Sequence, residues 1–98
     1  MDRSQIIRVL KAHEAELRRR GVEHAALFGS AARGDGRADS DIDVMLDLDP
    51  AARVTVFDYA EIVEYVRGLL GGRVDVANRE TLKPHVRPSA ERDAIRAF

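Results

Sequence analysis

Asp41 and Asp43 stand one residue apart in a run where Ile42, Val44, Leu46 and Leu48 alternate with Asp41, Asp43, Met45, Asp47 and Asp49. A period of two marks a strand, so both carboxylates project from one side, only about 7 Å apart. Like charges held that close repel, and folding alone gives no reason to align them. A divalent cation removes the repulsion, and hard oxygen donors suit Mg²⁺ or Mn²⁺. A third acid, Asp75, sits between Val74 and Val76 in another short apolar run. If the two strands are neighbours, the three carboxylates form one cluster, the donor set of a two-metal site for phosphoryl or nucleotidyl transfer. Upstream, Gly29-Ser30 comes after an apolar strand-like segment. The glycine lets a ligand approach the backbone, and a helix start offers N–H groups and the Ser30 hydroxyl to an anion. Arg33, one turn later, is placed to reach a phosphate oxygen. A phosphate cradle and a metal-binding pair on successive strands fit together as a nucleoside-triphosphate site.

The surrounding pattern predicts the scaffold that holds these residues. Asp2 and Gln5 form a capping-box signature, and Ile6, Leu10 and Leu17 recur at helical spacing, predicting one helix over about 3–20 before Gly21. Residues 22–28 read as a strand, and Ser30 as the N-cap of a short helix. Residues 34–40 read as a loop, and 42–48 as the acidic-faced strand, ended by Pro50. Phe57, Ile62, Val66 and Leu69/Leu70 predict a second long helix over about 54–70, closed by Gly71-Gly72. Residues 73–77 form a third strand and Asn78 caps a short helical turn. Pro84 and Pro88 cut up the next stretch of chain, with a last short strand in 94–98. The order α-β-(short α)-β-α-β-α-(β) implies an α+β fold, an α/β sandwich in which helices pack on a small mixed sheet.

Composition bounds the possibilities. A chain of 98 residues has room for one core, so a single domain over 1–98 is expected. With 45% apolar and 34% charged residues it is neither a disordered nor a membrane chain by profile. A net charge of −1 argues against general nucleic-acid coating, although five of the ten aspartates fall within residues 39–49. The lack of cysteine excludes disulfides, zinc-thiolate sites and a thiol nucleophile. No apolar run approaches a bilayer span and the start shows no secretory pattern, so the expected location is cytoplasmic, with no membrane partner.

Gly29-Ser30, ten residues, then Asp41-Ile42-Asp43 resembles the Gly-Ser…Asp-x-Asp signature of the DNA polymerase beta nucleotidyltransferase superfamily. More closely, residues 27–34 (Leu-Phe-Gly-Ser-Ala-Ala-Arg-Gly) and 40–46 (Ser-Asp-Ile-Asp-Val-Met-Leu) resemble the minimal nucleotidyltransferases of prokaryotes. The resemblance spans about residues 5–83. It implies a nucleotidyltransferase fold, Asp41 and Asp43 as ligands of two Mg²⁺ ions, and Asp75 as a third ligand that helps deprotonate the acceptor. It also implies Ser30 and the backbone at Gly29 as the triphosphate cradle, with ATP as substrate and pyrophosphate as leaving group. For many members it implies an antitoxin role, in which a HEPN-domain ribonuclease is neutralised by adenylylation of a tyrosine hydroxyl and by complex formation. Because the chain leaves little beyond the catalytic elements, the acceptor is expected to be presented by a partner or bound at a dimer interface.

Blander readings stand beside each of these. Asp41 and Asp43 alone also fit an acidic face kept for solubility, Asp75 a solvated strand residue, and Arg33 a surface ion pair. Asp35, Asp39, Asp47 and Asp49 read as solvated, His13 and His24 as packing or surface groups, and Tyr59 and Tyr65 as core or interface. Lys83 and His85 could approach a nucleotide, but nothing in their spacing requires it. A calcium-binding loop beginning at Asp39 fails, because Val44 stands where the turn needs glycine and Pro50 where glutamate is needed. Two rival functions remain. One is a non-catalytic module that neutralises a toxin by binding it. The other is a nucleotidyltransferase acting on a small molecule or nucleic acid.

Overall fold

The computed structural model describes residues 1–34, 41–71 and 73–98. Helix α1 (Arg3–Ala12) opens on the expected capping box. The Asp2 carboxylate accepts the Gln5 amide at 2.9 Å, and the Gln5 side chain accepts the Asp2 amide at 2.9 Å. The single helix expected over 3–20 is two. The chain turns at His13 (φ −106°, ψ 17°), and α2 (Glu14–Arg19) continues. His13 Nδ1 donates to the Val9 carbonyl at 2.8 Å, an acceptor that its own amide also uses, and this shared carbonyl marks the break. Leu17 still reaches the core, because the break resets direction without changing which side is apolar. The basic run beyond it is tied down locally. Arg18 pairs with Glu14 at 2.7 Å and lies over Phe98, and Arg20 pairs with Glu16 at 2.9 Å and lies over Tyr65.

Strands β1 (Val22–Phe28), β2 (Ile42–Leu48), β3 (Val74–Asn78) and β4 (Ile95–Arg96) form one mixed sheet in the order β3-β2-β1-β4. β2 is antiparallel to β1 and parallel to β3, and β4 is antiparallel to β1. Between β1 and β2 lies α3 (Gly29–Arg33), and between β2 and β3 lies α4 (Val56–Leu70). One face of the sheet carries Leu27, Val44, Leu46 and Val74 into a single buried cluster with Ile6, Leu10, Leu17, Ile62, Val66 and Leu70. This is the layered α+β arrangement expected from the element order.

Helix α4 begins slightly later than expected, because Thr55 and Asp58 form a second capping box, with both bonds at 3.1 Å. Its apolar stripe is Ile62, Val66 and Leu70. Phe57 does not belong to it, being 83% exposed with Val56 beside it at 81%, on the first turn of the helix. Pro88 also behaves differently from expectation. It opens α5 (Arg87–Asp93) at the first turn, where the missing N–H costs nothing, instead of interrupting a helix. Among the described residues no helix is long and apolar enough to cross a membrane.

Candidate active site

The second face of the sheet carries the acids. Alternation along β2 places Asp43, Met45 and Asp47 on it, and the antiparallel register sets Phe28 opposite Asp43. The parallel register sets Asp75 opposite Asp43, so the strands of the two acids are hydrogen-bonded neighbours, as the cluster requires. Asp41 immediately precedes β2, with Arg73 Nη1 4.0 Å from its carboxylate. Burial, then the negative charges of Asp75 and Asp41, push the Asp43 carboxyl above the usual aspartate range, and the Arg33 guanidinium partly offsets them. Asp41, Asp75 and Arg33 therefore each lie within electrostatic reach of Asp43.

Gly29 belongs to this cluster for a reason the sequence did not expose. Its φ is +71°, and a Cβ built there would collide with the Asp43 carboxylate. The missing side chain makes room for the neighbouring acid, in addition to freeing the backbone for a ligand. Ser30 is the second residue of α3 and not its N-cap, a position held by Phe28, whose extended backbone leads straight from β1 into the helix. Arg33, in the last turn of α3, donates to Asp93 of α5 at 3.0 Å. That contact was invisible in the sequence, where 60 residues separate the two and the proline-rich stretch hid α5 itself.

The remaining aspartates divide. Asp35 and Asp39 lie outside the described residues. Asp49 accepts the Ala51 amide at 2.9 Å and caps the turn at Pro50–Ala52. Asp47 is not simply solvated. It accepts from Arg79 at 2.6 Å, and Arg79 also faces Glu91 of α5 at 3.8 Å, so the pair straps the sheet to that helix. His24, set opposite Asp47 on β1, accepts from Arg96 at 2.7 Å.

The donor chemistry of the three acids, carboxylate oxygens, fits a hard divalent cation. As placed, the side chains have not closed on a common point. Among the described residues no three His, Cys, Asp or Glu groups are gathered tightly enough to hold one ion.

An acidic end of the sheet beside a Gly-Ser helix start is what a nucleotide-transfer fold calls for, and comparison with known proteins gives that class. The chain belongs to the nucleotidyltransferase domain family, which it matches over residues 10–97, and is an enzyme of that class. A protein of Methanocaldococcus jannaschii named as a candidate protein adenylyltransferase is 36% identical, over 94% of both chains. The protein adenylyltransferase MntA of Thermococcus cleftensis is 35% identical, over 93% of this chain and 91% of its own. A solved structure described as a minimal nucleotidyltransferase superposes with a TM-score of 0.79 at 34% identity, covering 97% of this chain and 95% of that one. At 18% identity, a toxin–antitoxin structure with AMP-PNP shares the fold, with a TM-score of 0.67 over 90% of this chain and 72% of that one.

Proposed function

We propose that this chain, acting as one unit over residues 1–98, is an ATP-dependent protein adenylyltransferase that modifies and neutralises a HEPN-type toxin, with a tyrosine hydroxyl as the acceptor. The observation that carries the reading is the placement of Asp43, with Asp75 opposite it, Asp41 two residues before it and Gly29 cleared to admit its carboxylate. Asp41, Asp43 and Asp75 would hold Mg²⁺ (or Mn²⁺), which when bound neutralises charge on the phosphates and polarises the α-phosphorus. The amides at Gly29 and Ser30, with the Ser30 hydroxyl, bind the triphosphate, and Arg33 adds a cation to that side. Asp75 accepts the proton of the acceptor hydroxyl. The acceptor oxygen then bonds to the α-phosphorus as the bond to the β-phosphate oxygen breaks and pyrophosphate leaves. The names of the adenylyltransferase relatives support AMP as the transferred group and a protein as the acceptor. The reading places the reaction in the cytoplasm, where ATP and Mg²⁺ are abundant.

The test is incubation with ATP labelled at the α-phosphate, Mg²⁺ and the product of the adjacent reading frame. Label on the partner, lost when its acceptor tyrosine becomes phenylalanine, is the expected result. Asp43→Asn should lower the rate by at least about 100-fold, the scale of losing a group that stabilises transition-state charge. Equal labelling by Asp43→Asn, or none by the parent chain, rejects the proposal.

A second reading, neutralisation by binding alone, draws on the exposed Val56 and Phe57, an apolar pair at the head of α4. Rescue of growth beside the partner by a variant with Asn at 41, 43 and 75 would favour it.

A further inference from the structure

A cleft of about 410 Å³ opens on the acidic face of the sheet, beside the carboxylates but not among them. Its floor is Ala26 and Met45, which are cross-strand partners and are 6% and 5% exposed. They stand two residues along the strands from Phe28 and Asp43, about 7 Å away on the same face, the span that a ribose bridges between a base and its α-phosphate. The rim holds two anions, Asp47 and Glu91, and two cations, Arg79 and Arg96. Because these charges balance, the cleft offers no net attraction to a phosphate. An apolar floor under a polar rim instead suits a flat uncharged ring with polar substituents, and the volume is in the range of small-molecule sites.

The rim also has unused hydrogen-bonding capacity. Arg79 occupies one oxygen of Asp47, and Arg87 and Arg79 share one oxygen of Glu91. The second oxygen of each makes no bond among the described residues, so both acceptors are available to an amino group. Arg96 uses Nε and Nη2 on the Phe98 carbonyl and His24, leaving Nη1 to donate to a ring nitrogen. From this combination we infer that the cleft receives the base of the nucleotide and selects one with an exocyclic amino group next to a ring acceptor, as in adenine. The inference rests on the nucleotidyl-transfer reading and assigns that reaction its base-selecting subsite. A tyrosyl ring of the partner fits less well, having one hydroxyl to satisfy a rim with several donors and acceptors.

Adenosine, which has no phosphate and needs no metal, is the probe. It is titrated into the full chain with its methionine and alanine methyls labelled for NMR, Met1 serving as the distant reference. Saturable shifts at Met45 and Ala26 are expected, with inosine binding about tenfold more weakly for want of the amino group. In the transfer assay, Asp47→Asn should narrow the preference for ATP over ITP, and Ala94→Leu, which narrows the cleft from α5's end, should raise the KM for ATP. Adenosine that leaves Met45 unmoved overturns the inference even where the parent chain transfers AMP normally. So does an Ala94→Leu variant whose KM rises for the protein acceptor and not for ATP, since the cleft would then hold the partner. Failure of the transfer reaction itself, with the Met45 shift intact, would instead count against the adenylyltransferase reading.

Discussion

Asp43 carries a conflict between folding and chemistry. Its carboxyl is pushed up by burial and by two neighbouring acids, so its ionisation is harder in the folded chain than in the unfolded one. A group raised in the folded state contributes its full stability below the ordinary aspartate value, and that contribution is lost as pH rises through the raised value. Without metal, the protein should therefore lose stability from this group as pH rises above the ordinary aspartate range. Asp43→Asn should remove that slope and raise the midpoint of thermal unfolding at pH 7 relative to the parent. A parent chain and variant with identical pH profiles would contradict the assignment. If Mg²⁺ binds the three acids, it should raise the parent's unfolding midpoint in a concentration-dependent way and leave Asp43→Asn nearly unaffected. Gly29→Ala tests the same spot from the other side. A positive φ and a collision with Asp43 predict a loss of at least about 1–2 kcal/mol in urea unfolding, together with loss of transfer.

At the scale of elements, α5 is the piece that the sequence understated. It supplies Asp93 to Arg33 and Glu91 to Arg79, and so ties helix α3 and the far end of β2 to one short segment. Asp93→Ala should leave unfolding within about 1 kcal/mol, since Arg33 is nearly half exposed and such pairs contribute little. If Arg33 serves the triphosphate, the same variant should change the KM for ATP, and the effect should vanish in an Arg33→Ala background. Additive effects would mean that the two residues act separately. The helix ends are more independent. Thr55→Ala removes one bond of a capping box and should cost about 1 kcal/mol by chemical denaturation without altering nucleotide transfer.

For the molecule as a whole, the division of labour lies between the two faces of the sheet. One is sealed by α1, α2 and α4 around the buried cluster, and the other holds the acids, the cleft and α5. That separation lets Asp43 and Asp47 lie on the open face, away from the apolar cluster. On the proposed reaction, an acceptor protein would approach this acidic face, near Asp75 on the edge strand β3. High salt should consequently affect encounter with a charged partner more than it affects unfolding of the chain alone, measured by association rate against denaturant midpoint.

Much of this architecture was legible locally. The period of two along β2, the Asp2–Gln5 cap and the spacing from Gly29-Ser30 to Asp41-Asp43 each depend on neighbours a few residues apart, and backbone geometry converts such spacing directly into direction. The break at His13, the exposed Phe57 and the start of α5 at Arg87 were not legible. Each depends on where an element ends relative to the sheet, which periodicity does not encode. Sequence alone was enough to say which side chains could do chemistry and on which side of a strand they stand. It took the folded chain to establish that Asp75 pairs in register with Asp43, that Gly29 is empty because Asp43 fills its space, and that Arg33 meets Asp93 across 60 residues. Strand order, register and long-range ion pairs come from closing loops around a shared core, and no window of sequence contains both partners.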